Sequence, residues 1–224
     1  MDIEEAIVGR QSVRAFLADK PVPRPTIEKI LRIASRAPSG SNIQPWHVWV
    51  ITGEKKRALT EKCLLRHRAG EQPEREYNYY PVKWTSPYIE RRRACGWGLY
   101  NTIGIKKGDA AAMSLQHGRN YEFFDAPVGL FFTIDRHLET GSWIDTGMFI
   151  QSVMIAARSQ GLETCPQVSF CSYYDTVLEH IGAPDEHMLI CGMSLGYADP
   201  DAIVNSFRTS REDVSVFAHF LDDD

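Results

Sequence analysis

The chain has 224 residues, 43% of them hydrophobic, which supplies one large domain with a substantial core. Its 25 Lys and Arg against 29 Asp and Glu give a formal net charge of -4, which excludes the global basic field that sequence-independent nucleic-acid binding needs. Five cysteines (Cys63, Cys95, Cys165, Cys171, Cys191) form no C-x-x-C pair, and the opening MDIEEAIVGR lacks a signal-peptide pattern, so a cytoplasmic protein is expected.

In chain order, GRQSVRAF comes first. Arg10, Ser12 and Arg14 can converge on one phosphate only if this segment is extended or irregular, where alternate side chains share a face. A solvated surface charge pair is the other reading. Next, PRPTIEKILRIASRAPSG places Ile27, Ile30, Leu31 and Ala34 at i, i+3, i+4 and i+7, which predicts an amphipathic helix with Pro25 in its first turn and Pro38 and Gly40 at its stop.

Ser39, Gly40, Ser41 and Asn42 then form either a surface turn or a concave bed of N–H groups and hydroxyls around a ligand. The following WHVWVITG is apolar on both alternating faces and predicts a central strand, with His47 as a core histidine. The segment from Arg66 to Tyr100 is dense in Tyr, Trp and Arg and short of aliphatic residues, so it is not ordinary core.

PVGLFFTID (127–135) and MLICGMSLGY (188–197) predict two more strands. Between them, WIDTGMFIQSVMIAARSQGL predicts a helix whose Ile144, Met148, Phe149, Val153, Met154, Ile155 and Ala157 cover nearly every face, as in a core or, preferably, a subunit interface. That helix ends near Gly161, and GLETCPQVSF predicts a tight turn through Cys165, Pro166 and Gln167 with free backbone N–H groups. NSFRTSRED repeats the pairing of guanidiniums and hydroxyls with Arg208, Thr209, Ser210 and Arg211.

No apolar window approaches the roughly 20 residues of a bilayer span. Strands alternating with helices, without repeats or linkers, predict a single α/β or α+β domain over 1–224. Phosphate-loop, dinucleotide, nucleophile-elbow and zinc-protease motifs are absent. The spacing of Cys165, Cys171 and His180 fits no usual zinc pattern, so no metal is expected. Asp125, Asp135 and Asp145 are unpaired in spacing and predict structural roles.

Taken together, RQSVRAF, APSGSNIQPWHVWV, GLETCPQ, GMSLGYAD and NSFRTSRED, in this order and spacing, resemble the nitroreductase family of FMN-dependent oxidoreductases. The resemblance implies an α+β three-layer sandwich with a mostly antiparallel sheet, an intertwined homodimer, and FMN at the interface. It implies FMN phosphate and ribityl contacts from Arg10, Ser12, Arg14, Arg208 and Arg211. Pro38, Ser39, Gly40, Asn42 and Gln44 would be lent to the partner's flavin, and Pro166, Gln167 and Val168 would pack against the isoalloxazine.

The region around 66–120 resembles the family's variable excursion over the substrate channel, with Tyr79, Tyr80, Trp84 and Tyr88, and beyond it Phe124, as channel candidates; packing of the dimer surface by the four from the excursion is the equal alternative. The implied activity is ping-pong transfer from NADH or NADPH through flavin N5 to nitroaromatic or quinone-like acceptors, with no catalytic side chain. The alternatives are flavin or enone reduction, a biosynthetic dehydrogenation, or flavin binding without turnover.

Overall fold

A computed structural model describes residues 1–71 and 75–221. Helix α1 (Ile3–Gly9) starts where Asp2 Oδ1 accepts the Glu5 N–H at 2.7 Å. An extended stretch leads to α2 (Arg24–Ala34), whose Ile27, Ile30 and Ala34 are buried as the periodicity predicts. Strand β1 (His47–Thr52) runs into α3 (Gly53–Arg68), and α4 (Tyr88–Thr102) and α5 (Ala110–Gly118) follow. Then come β2 (Val128–Asp135), α6 (Thr140–Ser159), β3 (Glu163–Gln167), α7 (Tyr174–Ile181), β4 (His187–Gly196) and the one-turn α8 (Val214–Phe217).

The sheet is antiparallel throughout, in the order β1-β2-β4-β3. Alternation along β2 sends Val128, Leu130 and Phe132 to one core with Ile27 and Ile30 of α2 and Phe149 and Val153 of α6. Phe131 turns to a second core with Leu59 and Cys63 of α3 and Val177 of α7. Helices therefore cover both faces, giving the expected α+β three-layer sandwich. Gly129 and Gly192 sit on the two inner strands where a Cβ would lie 2.4 Å from the Phe123 ring and 2.7 Å from the Phe170 ring. Their bare backbone lets those rings pack on the sheet, 4.6 Å apart.

Two expectations need correction. WHVWVITG is an edge strand, not a central one: β1 has one neighbour, and His47, Val50 and Thr52 are exposed. His47 is accordingly no core histidine, since 48% of its side chain is exposed. Apolar content on both faces reports helix cover, and an edge strand also receives that cover.

Helix α6 is two-sided. Phe149, Val153, Met154 and Ala157 are buried, whereas Ile144 and Met148 are exposed. Helix α4 buries none of its residues. It is held through Gly98, whose Cα packs on the Phe207 ring, and through the 2.8 Å ion pair of Arg91 with Glu212. Among the described residues no helix is long and apolar enough to cross a membrane.

Candidate functional site

Residues 10–16 form an irregular extra strand beside β3. Ser12 bridges Thr164 in parallel, the Val13 N–H donates to Thr164 O at 3.1 Å, and the Phe16 N–H donates to Phe124 O at 3.0 Å. Val13 and Phe16 are buried, while Arg10, Ser12 and Arg14 remain half-exposed. This is the extended conformation that convergence of those three side chains requires.

The distant NSFRTSRED segment closes over them. Asn205 Oδ1 accepts the Arg14 N–H at 2.8 Å, and Arg208 Nη1 donates to Gly9 O at 3.1 Å. Arg211 Nη1 donates to Thr209 Oγ1 at 2.7 Å. The result is a cavity of about 550 Å³ lined by Arg10, Ser12, Arg14, Arg208, Thr209 and Arg211, with Cys95 of α4.

Among the described residues these four arginines have no carboxylate partner, and the nearby Glu163 is committed to Arg158. Burial, and next the charge of Arg211, lower the Arg10 pKa from its ordinary value. Such a concentration of positive charge is stabilised by a bound anion, and guanidiniums beside hydroxyls suit a phosphate. A second cavity, of about 740 Å³, differs in kind: it sets Lys56 and Arg57 against Asp19, Glu122 and Asp125 and leaves no such excess.

The small-residue loop is built by internal bonds. Ser39 O accepts the Asn42 N–H at 2.9 Å, Ser39 Oγ accepts the Gln44 N–H at 3.0 Å, and Asp145 Oδ2 accepts the Gly40 N–H at 3.1 Å. Ser41, Asn42 and Gln44 hold φ of 49°, 58° and 49°, strained values for residues with a Cβ, and Pro38, Gly40, Asn42 and Gln44 are exposed. Asp145 lies near the start of α6. Arg158, near its end, lies under Gly9, where a Cβ would be 2.6 Å from Nη2. About 20 Å of helix therefore separates the loop from the cradle. The cradle and the small-residue loop, two of the three predicted groups of cofactor residues, are not brought together by one chain.

The third predicted group is partly corrected. Cys165, Pro166 and Gln167 lie on β3, paired with Ser194, Met193 and Gly192, and not in a turn. Gly161, at φ +70°, turns the chain after α6, and a 3₁₀ turn begins only at Val168. The Gln167 side chain is buried: its Oε1 accepts from Ser194 Oγ at 2.6 Å, and its Nε2 donates to Asn120 O at 2.6 Å. Only its backbone is left for a ligand, beside the half-buried Pro166 and Val168.

In the aromatic excursion, Tyr80, Trp84, Trp97 and Tyr100 line a cavity of about 580 Å³ with Arg92 and Arg93. The Arg92 guanidinium lies 5.0 Å from the Trp84 ring centre, a cation–π pair. Cys95 lines this cavity and the arginine cradle, so the two adjoin. Tyr79 packs edge-on against Tyr80 at 4.8 Å, and Tyr88 sits by Arg91; neither lines the cavity. Phe124 is a correction: it is 1% exposed, at φ 52°, inside the core under Phe16. Sequence reasoning missed Arg93, Trp97 and Tyr100, although their i, i+4, i+7 spacing marks one face of a helix.

Other titratable groups are held by pairing or burial. Asp125 pairs with Arg119 at 2.5 Å, and burial pushes Cys63 up to about 12 and Cys165 and Cys171 each to about 11, so these thiols stay protonated. Asp135 lies between His47 and His187.

A model of the nitroreductase family matches residues 7–197. The chain is 44% identical to 4-nitrobenzoate reductase of Nocardioides sp. (strain LMS-CY), over 98% of this chain and 90% of that protein. It is 42% identical to 4-nitrobenzoate reductase of Pseudomonas putida, over 98% and 96%. Among solved structures, the FMN and NADPH-dependent nitroreductase NfnB from Sphigopyxis sp. strain HMH superimposes with a TM-score of 0.95 at 36% identity, covering 99% of this chain and 100% of that one. The FMN-dependent nitroreductase NfnB from Mycobacterium smegmatis, in complex with NADPH, gives 0.92 at 32%, covering 98% and 97%. With its sandwich fold, its arginine cradle and a match over most of its length, the chain belongs to the nitroreductase family.

Proposed function

We propose that the chain is a single-domain, FMN-dependent nitroreductase that oxidises NAD(P)H and reduces nitroaromatic acceptors, with carboxylate-bearing nitroarenes such as 4-nitrobenzoate as the substrate class. The observation that carries the proposal is the cradle of four arginines from both ends of the chain, without a carboxylate partner among the described residues. Arg10, Ser12, Arg14, Arg208 and Arg211 would hold the FMN phosphate, and the backbone of β3 at Pro166 and Gln167, with Val168, would border the ring. Bound there, FMN would supply the redox chemistry between reduced nicotinamide and nitroarene, while the chain's own residues position it.

The adjoining cavity supports the substrate class. Trp84, Tyr80 and Tyr100 offer faces for an aromatic ring, and Arg92 and Arg93 offer charge for a carboxylate. The relatives named for 4-nitrobenzoate agree with that chemistry. A homodimer is supported by the exposed Ile144 and Met148 on α6 and by the strained loop held at that same end of the helix, away from the cradle, which fits a neighbouring subunit's site. All five cysteines are free thiols, in keeping with a reducing cytoplasm.

The test is direct. The purified protein should be yellow, bleach anaerobically with NADPH or NADH, and regain its colour on addition of 4-nitrobenzoate. A colourless protein that takes up no FMN would overturn the proposal, and a reduced protein that no nitroarene reoxidises would remove the assigned activity.

A further inference from the structure

His47, Asp135 and His187 meet at one end of the sheet, far from the arginine cradle, and their ligand atoms all lie within 4.8 Å of one another. They come from the start of β1, the end of β2 and the start of β4. Pairing sets His47 opposite Thr133 and His187 opposite Asp135, and Thr133 and Asp135 share a face at period two.

His187 reaches that face because of a bulge. Cys191, Met193 and Leu195 face the α2/α6 core, and a regular strand would send Leu189 and His187 the same way. The pairing instead steps from Cys191 opposite Phe132 to Leu189 opposite Thr133, leaving Ile190 as the extra residue, so Leu189 joins the other core and His187 turns with it. Tyr77 Oη donates to the Ile190 carbonyl at 2.6 Å, and Glu76 accepts the Leu189 N–H at 3.4 Å, which hold the bulge in place.

The two spacings from Asp135 suit a metal. Asp135 Oδ1 lies 3.5 Å from His47 Nε2 and 3.3 Å from His187 Nε2. Tetrahedral zinc with bonds of about 2.0–2.1 Å sets its ligand atoms about 3.4 Å apart. Behind His187, Nδ1 is 3.0 Å from Thr133 Oγ1, which also accepts the Trp49 Nε1–H at 3.0 Å. An oxygen behind a ligating imidazole orients the ring and leaves Nε2 for the cation. His47 is exposed and Asp135 half-exposed, so a cation has an entry path and room for a water ligand.

We propose that His47, Asp135 and His187 form a binding site for a zinc-class divalent cation that clamps the ends of three strands. Two imidazoles and one carboxylate select borderline cations over magnesium or calcium, which take mainly oxygen ligands. The site is separate from the residues assigned to the flavin: along β4, His187 lies about 16 Å from Gly192, which pairs with Gln167, and about 25 Å from Leu195, which pairs with Thr164 beside the cradle. A clamp there acts on the sheet and leaves cofactor binding alone.

The experiment uses untagged, flavin-loaded protein dialysed against a chelator and then titrated calorimetrically with zinc chloride, with magnesium chloride in parallel. One zinc per chain, no uptake of magnesium and a zinc-dependent rise in Tm are expected. His47→Gln and Asp135→Asn should each weaken zinc binding at least about tenfold while flavin absorbance stays unchanged. The absence of saturable zinc uptake by the parent protein, or uptake undiminished in both variants, would overturn the site. Uptake without a rise in Tm would overturn the clamp.

Discussion

Asn205 ties the two ends of the chain together: its Oδ1 accepts the Arg14 N–H at 2.8 Å across 191 positions, and its Nδ2 donates to Ala15 O at 2.9 Å and Asp199 O at 3.0 Å. Three bonds from one side chain fix the register of the arginine-bearing segments. Asn205→Ala should cost about 1–3 kcal/mol in urea unfolding and weaken FMN binding roughly tenfold, read from quenching of free-flavin fluorescence. Unchanged FMN affinity would mean that the cradle holds its shape without this tie.

The arginines themselves predict a split between two flavins. Arg14→Ala or Arg211→Ala removes a charge-assisted contact worth about 1.5–3 kcal/mol, so FMN affinity should fall roughly ten- to 150-fold. Riboflavin, which lacks the phosphate, should bind parent and variants alike. Equal losses for both flavins would move these residues away from the phosphate.

Both halves of this site were legible in the chain as clusters of guanidiniums and hydroxyls, but their meeting was not, for a physical reason. Arg10, Ser12 and Arg14 announce themselves by a local period of two, and the structure makes that stretch extended. Their meeting with Arg208 and Arg211 is a non-local closure that no local pattern encodes, so only the resemblance to a family pointed to it. Likewise, a short run apolar on both faces located β1, yet it could not say that the strand lies at an edge, because edge position depends on which strands pair. The bulge at Ile190 inverts the facing of His187 without any trace in the apolar pattern, and this hid the His47, Asp135 and His187 cluster. The resemblance makes Phe124 a channel candidate, yet its ring is buried in the core, a placement that depends on non-local packing.

Cys95 offers a chemical footprint of the cradle. It is the exposed thiol of the five and lines both the cradle and the aromatic cavity. Alkylation proceeds through the thiolate, and Cys63, Cys165 and Cys171 are raised to about 12, 11 and 11 against an ordinary value of about 8.5. At pH 8, iodoacetamide followed by peptide mass mapping should modify Cys95 far ahead of those three, and bound FMN should slow that modification. Equal rates with and without FMN would place the flavin elsewhere.

Arg92 and Arg93 predict selectivity between substrates that share a nitro group. Arg92→Ala and Arg93→Ala should raise KM for 4-nitrobenzoate about tenfold or more and leave KM for uncharged nitrobenzene within about twofold, since only the former offers a carboxylate to a guanidinium. The rate of flavin bleaching by NADPH should not change. A parallel loss on both nitroarenes would point to a packing role for these arginines.

Ile144 and Met148 carry the prediction about assembly. They stand at i and i+4 on the open face of α6, 62% and 37% exposed, beside the Asp145 that holds the strained loop through Gly40. If that face is covered by a second copy, a carboxylate placed in it would be buried without a partner, a penalty of several kcal/mol. The double variant Ile144→Glu, Met148→Glu should therefore sediment as a monomer while keeping its far-ultraviolet circular dichroism. Leu65→Glu, at a still more exposed leucine of α3, should change neither property. Because the loop from Pro38 to Gln44 lies about 20 Å along α6 from its own cradle, the monomer should also lose FMN although Arg10, Arg14, Arg208 and Arg211 are intact. A monomer that keeps its flavin would show that one chain completes the site, and the loop would then need another explanation for its strain.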